Sequence, residues 1–120
     1  MNRVIHFEVM AEDPERAEKF YKDVFGWEIT KWGGPAEYRL VTTGKDGAGI
    51  NGGIAKSKGA PLTVNTMNVP DLDKSLEKVK KSGGKQVAER MTVPGVGYLA
   101  YCQDTEGIVF GMMQEDANAK

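Results

Sequence analysis

Few side chains in this 120-residue chain can do chemistry beyond ordinary hydrogen bonding, and two of them stand together near its start. His6 is the only histidine, and Glu8 follows it two residues later. In an extended strand that spacing puts the imidazole and the carboxylate on one face. An imidazole titrates near neutral pH, and a neighbouring carboxylate raises its pKa or acts as a base itself. The pair therefore reads as a proton-transfer site, with His6 and Glu8 as the catalytic candidates, or as two hydrogen-bonding anchors in a polar cavity. A single histidine excludes any mechanism that needs two in one chain. The single cysteine, Cys102, excludes an intrachain disulfide and fits a reducing compartment, the cytoplasm. It sits in the apolar run Leu99-Ala100-Tyr101-Cys102 and reads as an inert buried thiol. Ser57, Ser75 and Ser82 lie in no nucleophile elbow, and no phosphate-cradling glycine pattern occurs.

These groups need strands to hold them. Val4 to Met10 alternates as a strand, and Asp13-Pro14-Glu15 opens a helix with an N-cap, a proline at its first position and an early acid. Ala17, Phe20, Tyr21, Val24 and Phe25 then fall on one buried helical face, and Gly26 stops the helix. Strands are expected at about 27–32, 36–43 and 50–55, separated by Gly33-Gly34-Pro35 and Gly44-Lys45-Asp46-Gly47. The second half repeats the order. A strand at about 62–69 leads to an Asp71 cap, a helix with Leu72, Leu76 and Val79 inward, and a stop at Ser82-Gly83-Gly84. Strands at about 85–92, 97–103 and 108–113 follow, then a frayed polar tail over 115–120.

The halves align at a constant offset of 58 positions, pairing Asp13 with Asp71, Gly26 with Gly84, and Asp46-Gly47-Ala48-Gly49-Ile50 with Asp104-Thr105-Glu106-Gly107-Ile108. The expected fold is α+β: two βαβββ modules, about 3–56 and 61–114, within a single domain spanning 1–120. A pseudo-two-fold axis would pair their open sheets around a concave cleft. Strand parity places Asn51 with Gly53 and Thr66 with Val64, while Trp32, Tyr38, Tyr98 and Tyr101 lie in or near strands of that surface. Tyr38, Asn51, Thr66 and Tyr98 are the ligand-binding candidates.

Sixteen Lys and Arg against seventeen Asp and Glu leave a net charge of −1, which supplies no footprint for nucleic acid and no polybasic membrane anchor. The apolar runs are a few residues long, too short for a membrane span.

The string His6-Phe7-Glu8-Val9, Asp13-Pro14-Glu15-Arg16-Ala17, Phe20-Tyr21 and Val24-Phe25-Gly26-Trp27 resembles the vicinal oxygen chelate superfamily of glyoxalases, bleomycin-resistance proteins and extradiol dioxygenases, as a small member related to lactoylglutathione lyase. Val69-Pro70-Asp71-Leu72-Asp73, Gly83-Gly84, Pro94-Gly95 and Asp104-Thr105-Glu106-Gly107 carry the resemblance through the second module, so that it covers about residues 3–113. The resemblance implies a metal held by four positions, one on the first and one on the last strand of each module. Here those positions are His6, Val64, Gly53 and Gly111, so one ligand is retained and three are lost. The expectation is a homodimer that binds a small organic molecule in its cleft and has no cofactor. A weakly held divalent metal at His6, with Glu8 and Asn51 as substitute ligands, is the alternative. A glyoxalase-related lyase or isomerase on a carbonyl substrate, with His6 and Glu8 moving protons, is the enzymatic counterpart.

Overall fold

Each helix begins where an aspartate can cap it. The Asp13 carboxylate accepts the Arg16 N–H at 3.1 Å, and the Asp71 carboxylate accepts the Lys74 N–H at the same distance. Each cap satisfies a backbone donor that the helix itself cannot, an effect of about 1 kcal/mol. In the computed structural model, which describes residues 1–34 and 37–120, these caps start α1 (Pro14–Phe25) and α2 (Leu72–Lys81). Gly26 ends α1 at φ +70°, a left-handed conformation that favours glycine. After α2 the positive φ belongs to Gly83, at +94°, and not to Gly84, the repeat partner of Gly26. Gly84 answers to crowding instead: a Cβ there would lie 2.7 Å from the Gln103 carbonyl oxygen.

The strands are β1 (Val4–Ala11), β2 (Glu28–Lys31), β3 (Tyr38–Thr42), β4 (Gly52–Lys56), β5 (Leu62–Asn68), β6 (Lys85–Gln86), β7 (Met91–Val93), β8 (Gly97–Gln103) and β9 (Val109–Glu115). Pro35, the last residue of the expected Gly33-Gly34-Pro35 separator, and Ala36, the first of the expected third strand, lie outside the described residues. The strand expected over 85–92 is two short strands, β6 and β7, each antiparallel to β8. The architecture is α+β, and its contacts divide the chain into two compact units, His6–Val64 and Met1–Ile5 with Asn65–Lys120.

In the N-terminal unit the strand order is β2-β3-β4-β1, with β1 parallel to β4 and the other pairs antiparallel. One face carries α1. Ile29, Val41 and Ile54 are buried there, with Phe7, Val9, Ala17, Tyr21 and Trp27 packed around them. Arg39 is buried on the same face, where its Nε donates to the Glu18 carboxylate of α1 at 2.7 Å. The helical stripe is narrower than its spacing implies. Phe20, Val24 and Phe25 are 56, 54 and 60% exposed. Tyr21 and Trp27 stack nearly parallel at 4.8 Å and fill the space beneath the helix, and the Phe20 and Phe25 rings lean on this pair from outside.

In the C-terminal unit the order is β5-β9-β8-β6, with β7 also on β8 and β5 parallel to β9. Val69, Leu72, Leu76, Ala100, Cys102 and Met112 form its core under α2. Leu72 is fully buried, and covering a leucine contributes about 1.5–3 kcal/mol. Cys102 is fully buried too, and burial pushes its thiol pKa up, as expected of an inert cysteine. The tail beyond β9 is not frayed. Asp116 N–H donates to Val96 O at 2.8 Å, Gly95 N–H donates to Ala119 O at 3.0 Å, and Ala119 is buried. Among the described residues no helix is long and apolar enough to cross a membrane.

Candidate functional site

Residues directly opposite one another in a sheet share a face, so register assigns the paired strand side chains of the N-terminal unit. Val41 pairs with Ile29 and Gly52, Gly52 with Phe7, and Ile54 with Val9 and Arg39; these look toward α1. The alternate residues occupy the helix-free face: His6, Glu8 and Met10 from β1, Glu28 and Thr30 from β2, Tyr38, Leu40 and Thr42 from β3, and Gly53 and Ala55 from β4. The expected parity of His6 and Glu8 is correct. Both carboxylates of this face, Glu8 and Glu28, stand on strands, whereas the strand cations Lys31, Arg39 and Lys56 all belong to the other side.

Three of these residues meet. The His6 Nε2 lies 3.0 Å from the Tyr38 hydroxyl, which also hydrogen-bonds Glu8. Glu8 is 7% exposed, while His6 and Tyr38 are half-buried. Burial, reinforced by the Glu8 carboxylate, pushes the Tyr38 phenol well above its ordinary range, so it keeps its proton. A protonated phenol beside an acceptor-only carboxylate donates to it, and its oxygen then accepts from His6 Nε2–H. The chain of donation runs from His6 through Tyr38 to Glu8. Burial lowers the His6 pKa and Glu8 partly restores it, which favours the neutral imidazole with Nδ1 as its acceptor.

The close approach of Tyr38 depends on Gly53. A Cβ at position 53 would stand 1.9 Å from the Tyr38 hydroxyl oxygen and 2.2 Å from Cζ. Trp32 continues the aromatic surface: its backbone N–H donates to Tyr38 O at 2.9 Å, and its ring meets the Tyr38 ring edge-on at 6.2 Å. Trp32 and Leu40 are 38 and 46% exposed.

The other expected ligand-binding residues are placed elsewhere. Asn51 precedes β4 as an exposed loop residue, and its side chain is engaged by the Thr43 N–H at 3.0 Å. It buttresses the β3–β4 loop and does not join His6. Tyr98 looks toward α2: it packs on the C-terminal core and carries the Arg90 guanidinium 4.9 Å above its ring. Parity alone could not choose its side, because the register of β8 on β9 sets it. Thr66 is buried on the helix-free face of its own unit opposite Gly111, and a Cβ at Gly111 would lie 2.7 Å from Thr66 Oγ1 and 3.4 Å from Tyr101 Cε1. Tyr101, named only as one of four aromatics, therefore fills that position; its identical strand parity with Gly111 and Thr66 is the signal that marks it.

The four positions that the resemblance assigns to a metal thus supply one imidazole, and its Nε2 is engaged by Tyr38. Val64 and the two glycines offer no donor, and the room beside both glycines is taken by Tyr38, Thr66 and Tyr101. Among the described residues no three His, Cys, Asp or Glu side chains cluster to hold a metal. These residues do not fit the four-ligand centre.

Two βαβββ-type modules with this first-strand histidine place the chain in the vicinal oxygen chelate superfamily. Within it, the chain belongs to the glyoxalase/bleomycin-resistance-like family: a glyoxylase-like domain-containing protein of Didymella fabae is 34% identical over 110 residues, 83% of this chain and 84% of that one. Residues 3–44 match the bleomycin resistance protein-like N-terminal family. Solved structures share the fold. A methylmalonyl-CoA epimerase variant of Streptomyces coelicolor, in complex with 2-nitronate-propionyl-CoA, superposes with a TM-score of 0.72 at 12% identity, covering 100% of this chain and 99% of that one. The Mycobacterium tuberculosis methylmalonyl-CoA epimerase gives 0.68 at 15% identity, covering 94 and 87%. A hypothetical protein of Bacillus halodurans gives 0.70 at 10% identity, covering 98 and 97%.

Proposed function

We propose that this protein binds a small organic molecule on the helix-free face of its N-terminal unit and does so without the metal centre of its superfamily. The observation that carries this reading is the Tyr38 hydroxyl bridging His6 and Glu8 over Gly53. It replaces a Lewis acid with a hydrogen-bonded row of polar groups, flanked by exposed Trp32 and Leu40 as apolar walls. The test is a thermal-shift screen in chelator against a broad metabolite and antibiotic library. The expected result is an unchanged melting temperature in chelator and hits whose stabilisation drops at least about tenfold in apparent affinity with Tyr38→Ala, the size of effect when an anchoring contact worth ~1.4 kcal/mol is lost. A melting temperature that collapses in chelator, with about one metal per chain by elemental analysis, overturns the metal-free reading. A homodimer in the cytoplasm is the setting we propose, supported by the exposed Phe20, Val24 and Phe25 side chains of α1 and by the single cysteine.

The same hydrogen-bonded row favours one second reading, a lyase or isomerase acting on a carbonyl compound. Neutral His6 would take a proton from carbon, and Glu8 would steady the resulting imidazolium through Tyr38. Exchange of a bound carbonyl compound's α-proton with deuterated solvent, lost in His6→Gln, is its signature.

A further inference from the structure

Helix α1 has a flank that its sheet does not cover. Residues spaced i, i+4, i+7 and i+8 fall within one arc of a helix, and Arg16, Phe20, Asp23 and Val24 have that spacing. All four are exposed, Phe20 and Val24 by more than half. Ala17 and Tyr21, one position after Arg16 and Phe20, pack on the core instead. Beside this flank, inside the N-terminal unit, runs an open groove of about 600 Å³ walled by Val9, Ala17, Phe20, Tyr21, Pro61 and Leu62. Leu62 is 41% exposed, so the apolar strip continues from the helix onto the first residue of β5. The two charges of the flank are open to a partner. Among the described residues the Arg16 guanidinium makes no hydrogen bond or ion pair. Asp23 gives Oδ2 to Lys19 at 2.7 Å and keeps Oδ1 unbonded.

We infer that this flank is an interface between two copies of the chain, α1 against α1, antiparallel about a two-fold axis at Phe20. The inference rests on the homodimer proposed above and adds to it the surface and the register. Charge names the occupant. With the axis at Phe20, residues four before it on one helix face those four after it on the other. Arg16 then comes against Asp23 and Val24 of the partner subunit, and symmetry makes the same contact twice. A parallel pairing would instead set Arg16 on its own copy and Asp23 on its own copy, and the two helix dipoles would lie side by side in the same sense. Phe20 meets its twin between these pairs, and the grooves beside it supply apolar walls to both rings. The strip thus carries its own complement, as a contact between identical surfaces requires. It also covers the phenylalanine and valine that the sheet leaves in water.

Sedimentation velocity on the full chain tests it. The wild type is expected to sediment as a dimer, and Phe20→Asp to weaken that dimer by at least about tenfold. Because the Phe20 ring also leans on Tyr21 at 5.2 Å, charge exchange at the exposed positions is the companion test. Arg16→Asp and Asp23→Arg are each expected to weaken the dimer a few-fold, and the two together to restore it. Phe20→Cys is expected to give a disulfide-linked dimer on oxidation, since residue 20 meets its twin, whereas exposed Glu89→Cys in the C-terminal unit stays unlinked. A dimer that Phe20→Asp leaves intact, a double exchange that fails to restore, or a Phe20→Cys chain that stays unlinked overturns this interface and leaves the homodimer standing. A wild type that sediments as a monomer at every concentration overturns both.

Discussion

The two units use one scaffold to opposite ends. Both cap a helix with an aspartate seven residues after the first-strand metal position, and both put a glycine on the last strand where the superfamily places a ligand. Around Gly53 the space is taken by a tyrosine tied to an imidazole and a carboxylate. Around Gly111 it is taken by Thr66 and Tyr101, and the first-strand histidine and glutamate have become Val64 and Thr66. What the repeat retains is the set of signals that build a module. What it lets diverge is the face that such a module presents.

The widest split between the units is expected at the paired glycines. Gly53→Ala drives a Cβ into the Tyr38 hydroxyl, so it must break the row from His6 to Glu8 or distort β4; the cost is about 1–3 kcal/mol in urea melts. Gly111→Ala meets only the Thr66 hydroxyl and Tyr101, and the better strand preference of alanine, roughly 0.5–1 kcal/mol, offsets the crowding. Adding Tyr38→Ala to Gly53→Ala is expected to cost less than the sum of the two single changes, since without the Tyr38 ring the new Cβ meets none of the atoms it would otherwise strike. Equal losses at positions 53 and 111 would falsify the contrast.

Removing the caps is expected to show what the units share. Asp13→Ala and Asp71→Ala each cost about 1 kcal/mol by chemical denaturation, with little difference between them.

The smallest effect is electrostatic and belongs to the N-terminal unit alone. Burial holds the folded His6 pKa below its ordinary 6.5, so the unfolded chain binds the proton more readily. The stability this contributes is complete above pH 6.5 and is lost as pH falls from there through the folded pKa. His6→Gln is expected to flatten that part of the pH–stability curve. With one imidazole in the chain, its proton NMR titration reads the folded pKa directly, and Glu8→Gln is expected to lower it further.

Local signals were legible in the residues. Both N-caps, the Gly26 stop and the parity of His6 with Glu8 depend on neighbours a few positions away, and each is where the spacing puts it. Register was not legible. Nothing near Tyr98 says that β8 turns that ring toward α2, and nothing near Tyr38 says that its hydroxyl crosses β4 to reach β1. Coverage was not legible either: the spacing of Phe20, Val24 and Phe25 marks an apolar stripe and is silent about how much of it the sheet can cover. The tail looked frayed because its sequence is polar, yet it is held by backbone groups, which carry no side-chain signature.

The two tryptophans are placed so that the molecule carries its own pair of optical gauges. Trp27 is stacked on Tyr21 within the aromatic cluster beneath α1, so its emission follows the integrity of that packing. Trp32 is more than a third exposed and stands edge-on to Tyr38, so its emission is placed to report a ligand on the face where we propose one binds. Replacing either tryptophan with phenylalanine leaves a single-colour reporter, one for folding and one for occupancy, with no dye attached.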